Sequence, residues 1–346
     1  LYLFLLQKRE ENELSQAFTA YNTRIVAPPH GSMLPMSPVR KNILMVACAL
    51  GLLIPVVIIF ICENMNTRVR GRKDLESVTV PFIGEIPLFT RKKKGIFRKK
   101  PQEVRAIVVK EGSRDIINEA FRVLRTNLEF MTGKDKASNV IIVTSFNPGS
   151  GKSFLTMNIA VSFAIKGKKV LVIDGDLRHG SASSYIDSPT KGLSDYLGGR
   201  IDNLNEIIVT NPKQKYLDIL PVGTIPPNPT ELLFDDRLKQ VIDTVREQYE
   251  YVLIDCPPIE LVADTQIIEK LADRTIFVVR AGLLELSMLA ELEKIYGEKK
   301  YKNMSLILNG TEGSGGRYGY RYGYRYGYHY GYGSEYHYGS DEKYIE

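Results

Sequence analysis

A glycine-rich loop, set between an apolar run and a helical pattern, constrains the fold of this chain more than any other stretch. Residues 140–145 are a largely apolar run that predicts a short buried strand. The loop that follows contains Pro148, Gly149 and Gly151, and Lys152 then begins a helical pattern. A strand, a glycine loop and a helix start point backbone N–H groups at a phosphate. The stretch therefore predicts a phosphate site, with an ordinary turn as the alternative.

The loop departs from the usual nucleotide-binding pattern at one position. In the pattern G-x-x-x-x-G-K-[ST], a glycine stands five residues before Gly151, where this chain has Phe146. Lys152 matches the lysine that reaches the β- and γ-phosphates, and Ser153 matches the hydroxyl that binds Mg²⁺. The expected nucleotide-binding residues run from the loop into the helix: Pro148, Gly149, Ser150, Gly151, Lys152, Ser153 and Phe154.

Apolar runs and helical patterns alternate from Asp115 onwards. Strands are predicted at 140–145, 169–173, 217–222, 251–255, 275–280 and 304–309. Helices are predicted at 115–130, 152–166, 230–248, 264–272 and 287–297. Alternation of this kind is typical of an α/β fold with a doubly wound, mostly parallel sheet, in which ligands bind at the carboxyl ends of the strands.

Three aspartates follow two of these predicted strands. Asp174 and Asp176 come directly after the run Val170–Ile173, and Asp255 follows Tyr251–Ile254. Because the carboxyl ends of parallel strands meet at one edge of a sheet, we expect these carboxylates to lie beside the glycine loop. Mg²⁺ takes few carboxylates, and phosphoryl transfer needs a group that orients or deprotonates the attacking hydroxyl. Three aspartates suffice for both tasks, whereas one aspartate after an apolar run is more often a turn residue.

The segment Ile43–Cys62 contains twenty consecutive residues without a charge. That length crosses a hydrocarbon core of about 30 Å, and Gly51 and Pro55 are tolerated in a transmembrane helix. A buried helix of a soluble protein is the alternative. Basic blocks at 68–73 and 91–100 follow the segment, so the positive-inside rule places the C-terminal side in the cytoplasm and the N-terminal residues outside.

Composition divides the chain into five predicted parts. They are an extracytoplasmic helical stalk with a proline-rich linker, a transmembrane helix, a basic juxtamembrane linker, a phosphate-binding domain and a flexible tail: 1–42, 43–62, 63–114, 115–312 and 313–346. The basic block 91–100 either lies against anionic lipid or is a solvated linker. Cys48, Cys62 and Cys256 predict no disulfide framework. Because the chain begins at Leu1 amid helical sequence, it is expected to be part of a longer protein.

The last segment, residues 313–346, contains eleven of the twenty tyrosines, largely in Tyr-Gly-Tyr-Arg repeats. Glycine, tyrosine, arginine and serine in this order cannot form a packed core, so a flexible tail is predicted. Such a tail can serve as a phosphoacceptor, as an aromatic adhesive or as an inert linker. Tyrosine hydroxyls on a flexible segment can reach the active site of a neighbouring copy.

Taken together, these motifs resemble those of the bacterial tyrosine kinases of capsule and exopolysaccharide synthesis, a branch of the deviant P-loop ATPases. Asn147–Ser153 matches the family's P-loop, Leu171–Arg178 its second motif with two aspartates, and Val252–Pro257 its Walker B motif. Glu119–Arg125 fits the family motif E-x-x-R-x-x-R, and Pro226–Leu233 is similar to another family segment. The resemblance covers essentially the whole chain.

The resemblance implies an ATP and Mg²⁺ site. Lys152 would contact the phosphates, and the expected metal residues are Ser153, Asp174 and Asp255. Asp174 is the expected base or ligand of a metal-bound water, with Asp176 in support; the roles of the three aspartates remain undivided. Asn309 is expected to contact adenine, although an asparagine that closes a strand is equally often a turn residue.

The resemblance also implies phosphorylation in trans within a ring of copies. Glu119, Arg122 and Arg125 would form the interface from one exposed helical stripe, although most such stripes are only solvated ion pairs. The expected phosphoacceptors are the tail tyrosines: Tyr318, Tyr320, Tyr322, Tyr324, Tyr326, Tyr328, Tyr330, Tyr332, Tyr336, Tyr338 and Tyr344.

The expected partners are further copies of the chain, the bacterial inner membrane with its anionic lipid, the polysaccharide polymerase and export machinery, and a tyrosine phosphatase, with no nucleic acid. Two other functions stay open. One is an ATPase of the MinD or ParA type, but that branch places a second lysine where this chain has Asn147. The other is a non-catalytic scaffold of polysaccharide synthesis.

Overall fold

The apolar stretch near the N-terminus forms a long helix in the computed structural model, which describes residues 1–18, 31, 39–89, 106–132, 139–211, 214–259 and 263–312. The chain divides into two units, Leu1–Asn66 and Thr67–Glu346. The first unit contains α1 (Tyr2–Ala17) and α2 (Arg40–Asn64). Within α2, the 22 residues Arg40–Ile61 are long and apolar enough to cross a membrane. Among the described residues, this is the one helix that meets that test.

The second unit is built on an eight-stranded sheet. The strands are β1 (Phe82–Pro87), β2 (Val140–Thr144), β3 (Val170–Asp174), β4 (Val209–Thr210), β5 (Leu217–Leu220), β6 (Tyr251–Asp255), β7 (Arg274–Arg280) and β8 (Met304–Thr311). Their order is β1-β8-β7-β2-β6-β3-β5-β4, and every neighbouring pair is parallel except β4 with β5. The predicted doubly wound, mostly parallel sheet is confirmed.

Helices cover both faces of this sheet. They are α3 (Ile116–Thr132), α4 (Lys152–Ala164), α5 (Leu193–Leu197), α6 (Pro229–Leu233), α7 (Asp236–Gln248), α8 (Asp264–Glu269) and α9 (Met288–Gly297). Side chains alternate between the faces along each strand, so Ile141 and Val143 pack with α3 and α4 while Val140 and Ile142 pack with the helices of the other face. The strands at the centre are apolar throughout because both of their faces are buried.

The predicted linker over residues 63–114 is wrong for much of its length. Phe82–Pro87 forms β1, which pairs in parallel with β8 at the edge of the sheet. Val69 and Val80 are buried against the same unit, and so are Val108 and Val109. The prolines of this segment argued against a strand. An edge strand nevertheless tolerates proline, because one side of its backbone needs no ladder hydrogen bond.

One predicted helix is two helices in the structure. The predicted helix 230–248 is interrupted between α6 and α7, where the Asp235 carboxylate accepts a hydrogen bond from the Arg237 N–H at 2.8 Å. This cap satisfies a backbone donor at the start of α7, so the helix restarts there.

Candidate nucleotide site

The glycine loop joins β2 to α4 in a conformation that requires glycine. Gly149 and Gly151 have φ of 74° and 88°, in the left-handed region that favours glycine. A Cβ added at Gly151 would lie 2.3 Å from the Asn309 side-chain nitrogen, so space is lacking as well. The hydroxyls of Ser145 and Ser150 both donate to the Asn147 carbonyl at 2.8 Å. The loop is therefore fixed by its own hydrogen bonds.

Phe146, the departure from the usual pattern, supports the loop from below. Its side chain is 2% exposed, and its ring lies edge-on to that of Phe277 with the centroids 4.9 Å apart. An edge-to-face aromatic pair is a favourable core contact. The phenylalanine is thus a core residue that packs against Phe277.

Lys152 and Ser153 occupy the first turn of α4, where the positive end of the helix dipole favours an anion. The Lys152 side chain is mostly buried, and its charge lowers the pKa of Asp255. The Lys152 ammonium therefore lies near enough to the Asp255 carboxyl group to oppose part of the rise in its pKa that burial causes. A phosphate at this helix start would meet backbone donors and a fixed positive charge.

The strand register brings two aspartates side by side. β3 and β6 are neighbours, and Asp174 pairs with Asp255. The Asp174 Oδ2 accepts hydrogen bonds from the Ser183 N–H and hydroxyl, both at 2.6 Å. Within the described part of the chain, Asp174 Oδ1 and both oxygens of Asp255 are buried and lack a hydrogen bond of standard geometry. Ser153 nevertheless lies close enough to Asp255 to lower its pKa.

The surroundings of Asp174 and Asp255 disfavour the charged form of both carboxyl groups. Burial, followed by repulsion from Asp174, raises the pKa of Asp255 above its ordinary value of 3.8, to about 8. Burial also raises the pKa of Asp174, to about 6, against the opposing hydrogen bonds of Ser183. Unpartnered buried carboxylate oxygens are the donors that a hard dication binds. The donor set therefore fits Mg²⁺.

No cluster of three or more metal-ligating side chains occurs in the ranges that the structure describes.

Asp176 is oriented by its own turn. Its side chain is mostly buried, and Oδ1 accepts from the N–H groups of Arg178 and His179 at 3.2 and 3.3 Å. Its negative charge raises the pKa of both Asp174 and Asp255. The three aspartates predicted from the sequence are thus brought together.

Asn309 and Arg280 border the loop on its other side. The buried Asn309 amide donates to the Ser150 carbonyl at 2.8 Å, which braces the loop. Its predicted contact with adenine stays a prediction. The Arg280 guanidinium would lie 3.5 Å from a Cβ at Gly151, so it also flanks the loop. Sequence reasoning missed Arg280 and Ser183, although Arg280, like the aspartates, ends an apolar strand.

The predicted exposed stripe on α3 is wrong for one of its three residues. Glu119 and Arg122 form an ion pair on the partly exposed surface of α3. Arg125 is 6% exposed, and its Nη1 donates to the Ser162 carbonyl on α4 at 2.8 Å. At 3.6 residues per turn, positions six apart differ by about 120° around the helix, which turns Arg125 toward α4. The interface itself stays a prediction, and the tail tyrosines 318–344 lie outside the described residues.

Known proteins share both the sequence and the fold. A family model described as an AAA domain matches residues 138–306. The tyrosine-protein kinase Etk of Escherichia coli strain K12 is 31% identical over 295 residues, which are 82% of this chain and 40% of that protein. The chain therefore spans about two fifths of the length of such relatives.

Solved kinase domains match most of this chain. The kinase domain of the Escherichia coli tyrosine kinase ETK aligns with a TM-score of 0.61 and 29% identity, covering 77% of this chain and 100% of that one. The BceF tyrosine kinase domain aligns with a TM-score of 0.59 and 30% identity, covering 70% and 99%. These are likenesses in both sequence and structure.

Proposed function

The chain belongs to the bacterial tyrosine-kinase family, and from that premise we propose that it is an Mg-ATP-dependent protein-tyrosine kinase that phosphorylates its own tail in trans. One observation carries the proposal: Asp174 and Asp255 lie side by side at the ends of adjacent strands, and three of their buried oxygens lack a hydrogen bond of standard geometry. A simple nucleotide-binding scaffold has no need of a carboxyl group poised to take a proton.

The nucleotide would lie with its phosphates at the start of α4. Backbone N–H groups of the loop and the Lys152 ammonium would bind the phosphates, as this motif does elsewhere. Ser153 and Asp255, with Asp174 alongside, would hold Mg²⁺. That ion would offset the negative charge of the phosphates during transfer.

The acceptor step uses the free oxygen of Asp174. A tail tyrosine oxygen would form a bond to the γ-phosphorus as the bond from that phosphorus to the ADP oxygen breaks. The phenolic proton would pass to Asp174, because Ser183 holds its Oδ2 and leaves Oδ1 available. A pKa raised to about 6 suits a base that works near neutral pH. Asp176 supports the pair through its charge. The products are ADP and phosphotyrosine.

Membrane attachment follows from α2 in this proposal. The helix Arg40–Asn64 would anchor the chain in the bacterial inner membrane, with the kinase domain and the tail in the cytoplasm. The block 91–100 would contact anionic lipid. Copies would assemble in a ring through Glu119 and Arg122. The kinase would then regulate the polymerase and export machinery of capsular polysaccharide or exopolysaccharide, and a tyrosine phosphatase would reset it.

The test is phosphotyrosine detection by mass spectrometry after the full chain, in detergent, is incubated with Mg-ATP. We expect phosphate on the tail of the native protein and none on Lys152→Met, because that variant loses the phosphate-binding ammonium. ATP consumption without phosphotyrosine would instead support an ATPase of the MinD or ParA type. No turnover at all would support a scaffold.

A further inference from the structure

Three side chains meet at the turn that follows β3: Arg178 from the turn itself, Thr230 from α6 and Asp264 from α8. The Arg178 Nε donates to Asp264 Oδ2 at 3.0 Å, and its Nη2 donates to the Thr230 hydroxyl at 3.0 Å. The Thr230 hydroxyl in turn donates to Asp264 Oδ1 at 2.6 Å. Each residue of this triangle contacts both of the others. The triangle therefore connects the turn after β3 to the first turns of α6 and α8.

Burial makes the triangle costly to break. The Asp264 side chain is 1% exposed, whereas that of Arg178 is 36% exposed. Removing one partner of a buried charged hydrogen-bond pair leaves a desolvated charge. Asp264 is therefore a fixed anchor, and Arg178 is the movable member that it holds in place.

The turn carries the catalytic aspartates. Asp176 Oδ1 accepts hydrogen bonds from the backbone N–H groups of Arg178 and His179, so the backbone at Arg178 helps to fix the Asp176 carboxylate. At the far end of the turn, the Ser183 hydroxyl that holds Asp174 accepts from the Val222 N–H at 2.9 Å. The segment that follows β5 thus contacts the turn at two places, through the Val222 N–H and through Thr230 in α6.

Thr230 lies in the proline-rich segment Pro226–Leu233, which restricts the backbone around it. Pro229 is buried at the first position of α6, directly before Thr230, and Pro226 is buried as well. Proline fixes φ and limits the freedom of the chain around it. The backbone that carries Thr230 therefore has limited freedom.

We propose that Thr230 and Asp264 are positioning residues for phosphoryl transfer. They hold Arg178 so that Asp176 stays beside Asp174 and Asp255 when the acceptor tyrosine arrives. Neither residue touches the reacting atoms; both act through Arg178. The proposal rests on the proposed kinase function, and it assigns a role to the segment Pro226–Leu233.

The first test is kinetic. Thr230→Val keeps the shape of the side chain and removes the hydroxyl from both of its partners. We expect kcat for tail phosphorylation to fall about tenfold while KM for ATP changes less than about threefold, because misplacement of a catalytic group affects the chemical step. Thr230→Ser restores the hydroxyl and should recover most of kcat. Thr244→Val, the same change on the exposed face of α7, is the matched control and should leave kcat unaltered.

The second test separates positioning from general stability. In an Arg178→Ala background, Thr230→Val should lower kcat by less than about twofold, because residues that act through a shared partner are not additive. Arg178→Lys, which keeps the charge on a half-exposed side chain but cannot bridge both partners, should reproduce the loss if Thr230→Val does not fold. Thermal unfolding with and without Mg-ATP reports on folding.

The outcomes distinguish the two proposals. Absence of tail phosphorylation in the native protein would overturn the kinase function itself. An active native protein with the same kcat in Thr230→Val, or with additive losses in the double variant, would overturn the positioning role and leave the kinase function standing.

Discussion

The charge states of two residues, Asp174 and Asp255, determine the electrostatics of the candidate nucleotide site. Asp174 and Asp255 lie in adjacent strands with almost no access to solvent. Within the described ranges, three of their four oxygens lack a hydrogen bond of standard geometry, so ionisation of both carboxyl groups is unfavourable in the nucleotide-free protein. A bound Mg²⁺ ion would favour the ionised form of both carboxyl groups. The proposed Mg²⁺ site would therefore be more stable with the ion bound than without it.

Stability of the nucleotide-free protein should therefore fall as pH rises between about 4 and about 8. The native state retains a proton on Asp255 that the unfolded chain releases near its ordinary pKa of 3.8, and the pKa of about 8 in the native state ends the window. Each proton so retained lowers the free energy of unfolding by at most about 1.4 kcal/mol per pH unit. Asp255→Asn should flatten this dependence in chemical unfolding curves measured across that range.

Asp243→Asn, on the exposed face of α7, is the control and should leave the dependence as in the native protein. An equally steep fall in stability with pH for Asp255→Asn would show that Asp255 is not the source of the dependence.

Glycine geometry gives a second prediction at this scale. Gly151→Ala places a methyl group against the Asn309 amide at a φ of 88°, and strain of this kind is about 1–3 kcal/mol. We expect the affinity for ATP, measured by calorimetry, to fall at least about tenfold. Gly167→Ala has a φ of 78° with nothing within 4 Å, so it shares the backbone strain alone. Equal affinities for both variants would contradict the proposed role of the loop.

At the level of elements, α3 has two faces with different roles. The inner face is fixed by Arg125, whose guanidinium is buried against α4. The outer face presents the Glu119–Arg122 ion pair to solvent, where such a pair contributes little to stability. Within the one motif, Arg125 thus serves packing, whereas Glu119 and Arg122 remain available for assembly.

The two arginines should accordingly separate stability from assembly. Arg125→Ala should lower the free energy of unfolding by about 2 kcal/mol because it removes a buried charged donor. Arg122→Ala should change that free energy by only a few tenths of a kcal/mol, yet reduce self-association in light scattering. An unchanged oligomer mass in Arg122→Ala would remove this residue from the interface.

The strands at the centre of the sheet were predictable because strands buried on both faces are apolar throughout. β2, β3 and β6 follow the predicted runs within a residue or two, and so the aspartates at their ends were predictable as well. β1 was not, since Gly84, Glu85 and its flanking prolines carry no such signal. Its stability comes from pairing with β8, which lies more than 200 residues further along the chain.

Contacts between distant loops explain what else escaped prediction. Ser183 could not be linked to Asp174, nor Asp264 to Arg178, because no local pattern marks a hydrogen bond between loops. Phe146 looked like a defect in the loop and is a core residue beneath it. Arg125 was predicted as exposed because a motif gives spacing but not the direction in which the helix faces.

For the whole molecule, the central proposal joins a membrane helix, a nucleotide site and a tyrosine-rich tail in one kinase. The tail carries eleven tyrosines, and the complete chain has a net charge of +6. Each phosphate adds about −1.5 to −2 charges at pH 7, so extensive modification would reverse the sign of the chain. Phosphorylation in trans would make that reversal depend on assembly.

The most direct measurement mixes two forms of the full chain in Mg-ATP and reads phosphotyrosine by mass spectrometry. One form is unlabelled native protein, and the other is Lys152→Met uniformly labelled with ¹⁵N. We expect phosphate on the heavy tail peptides in the mixture and none when the heavy protein is incubated alone. Heavy tails that stay unmodified beside phosphorylated light tails would contradict transfer in trans, and absence of phosphotyrosine on both would contradict the kinase itself.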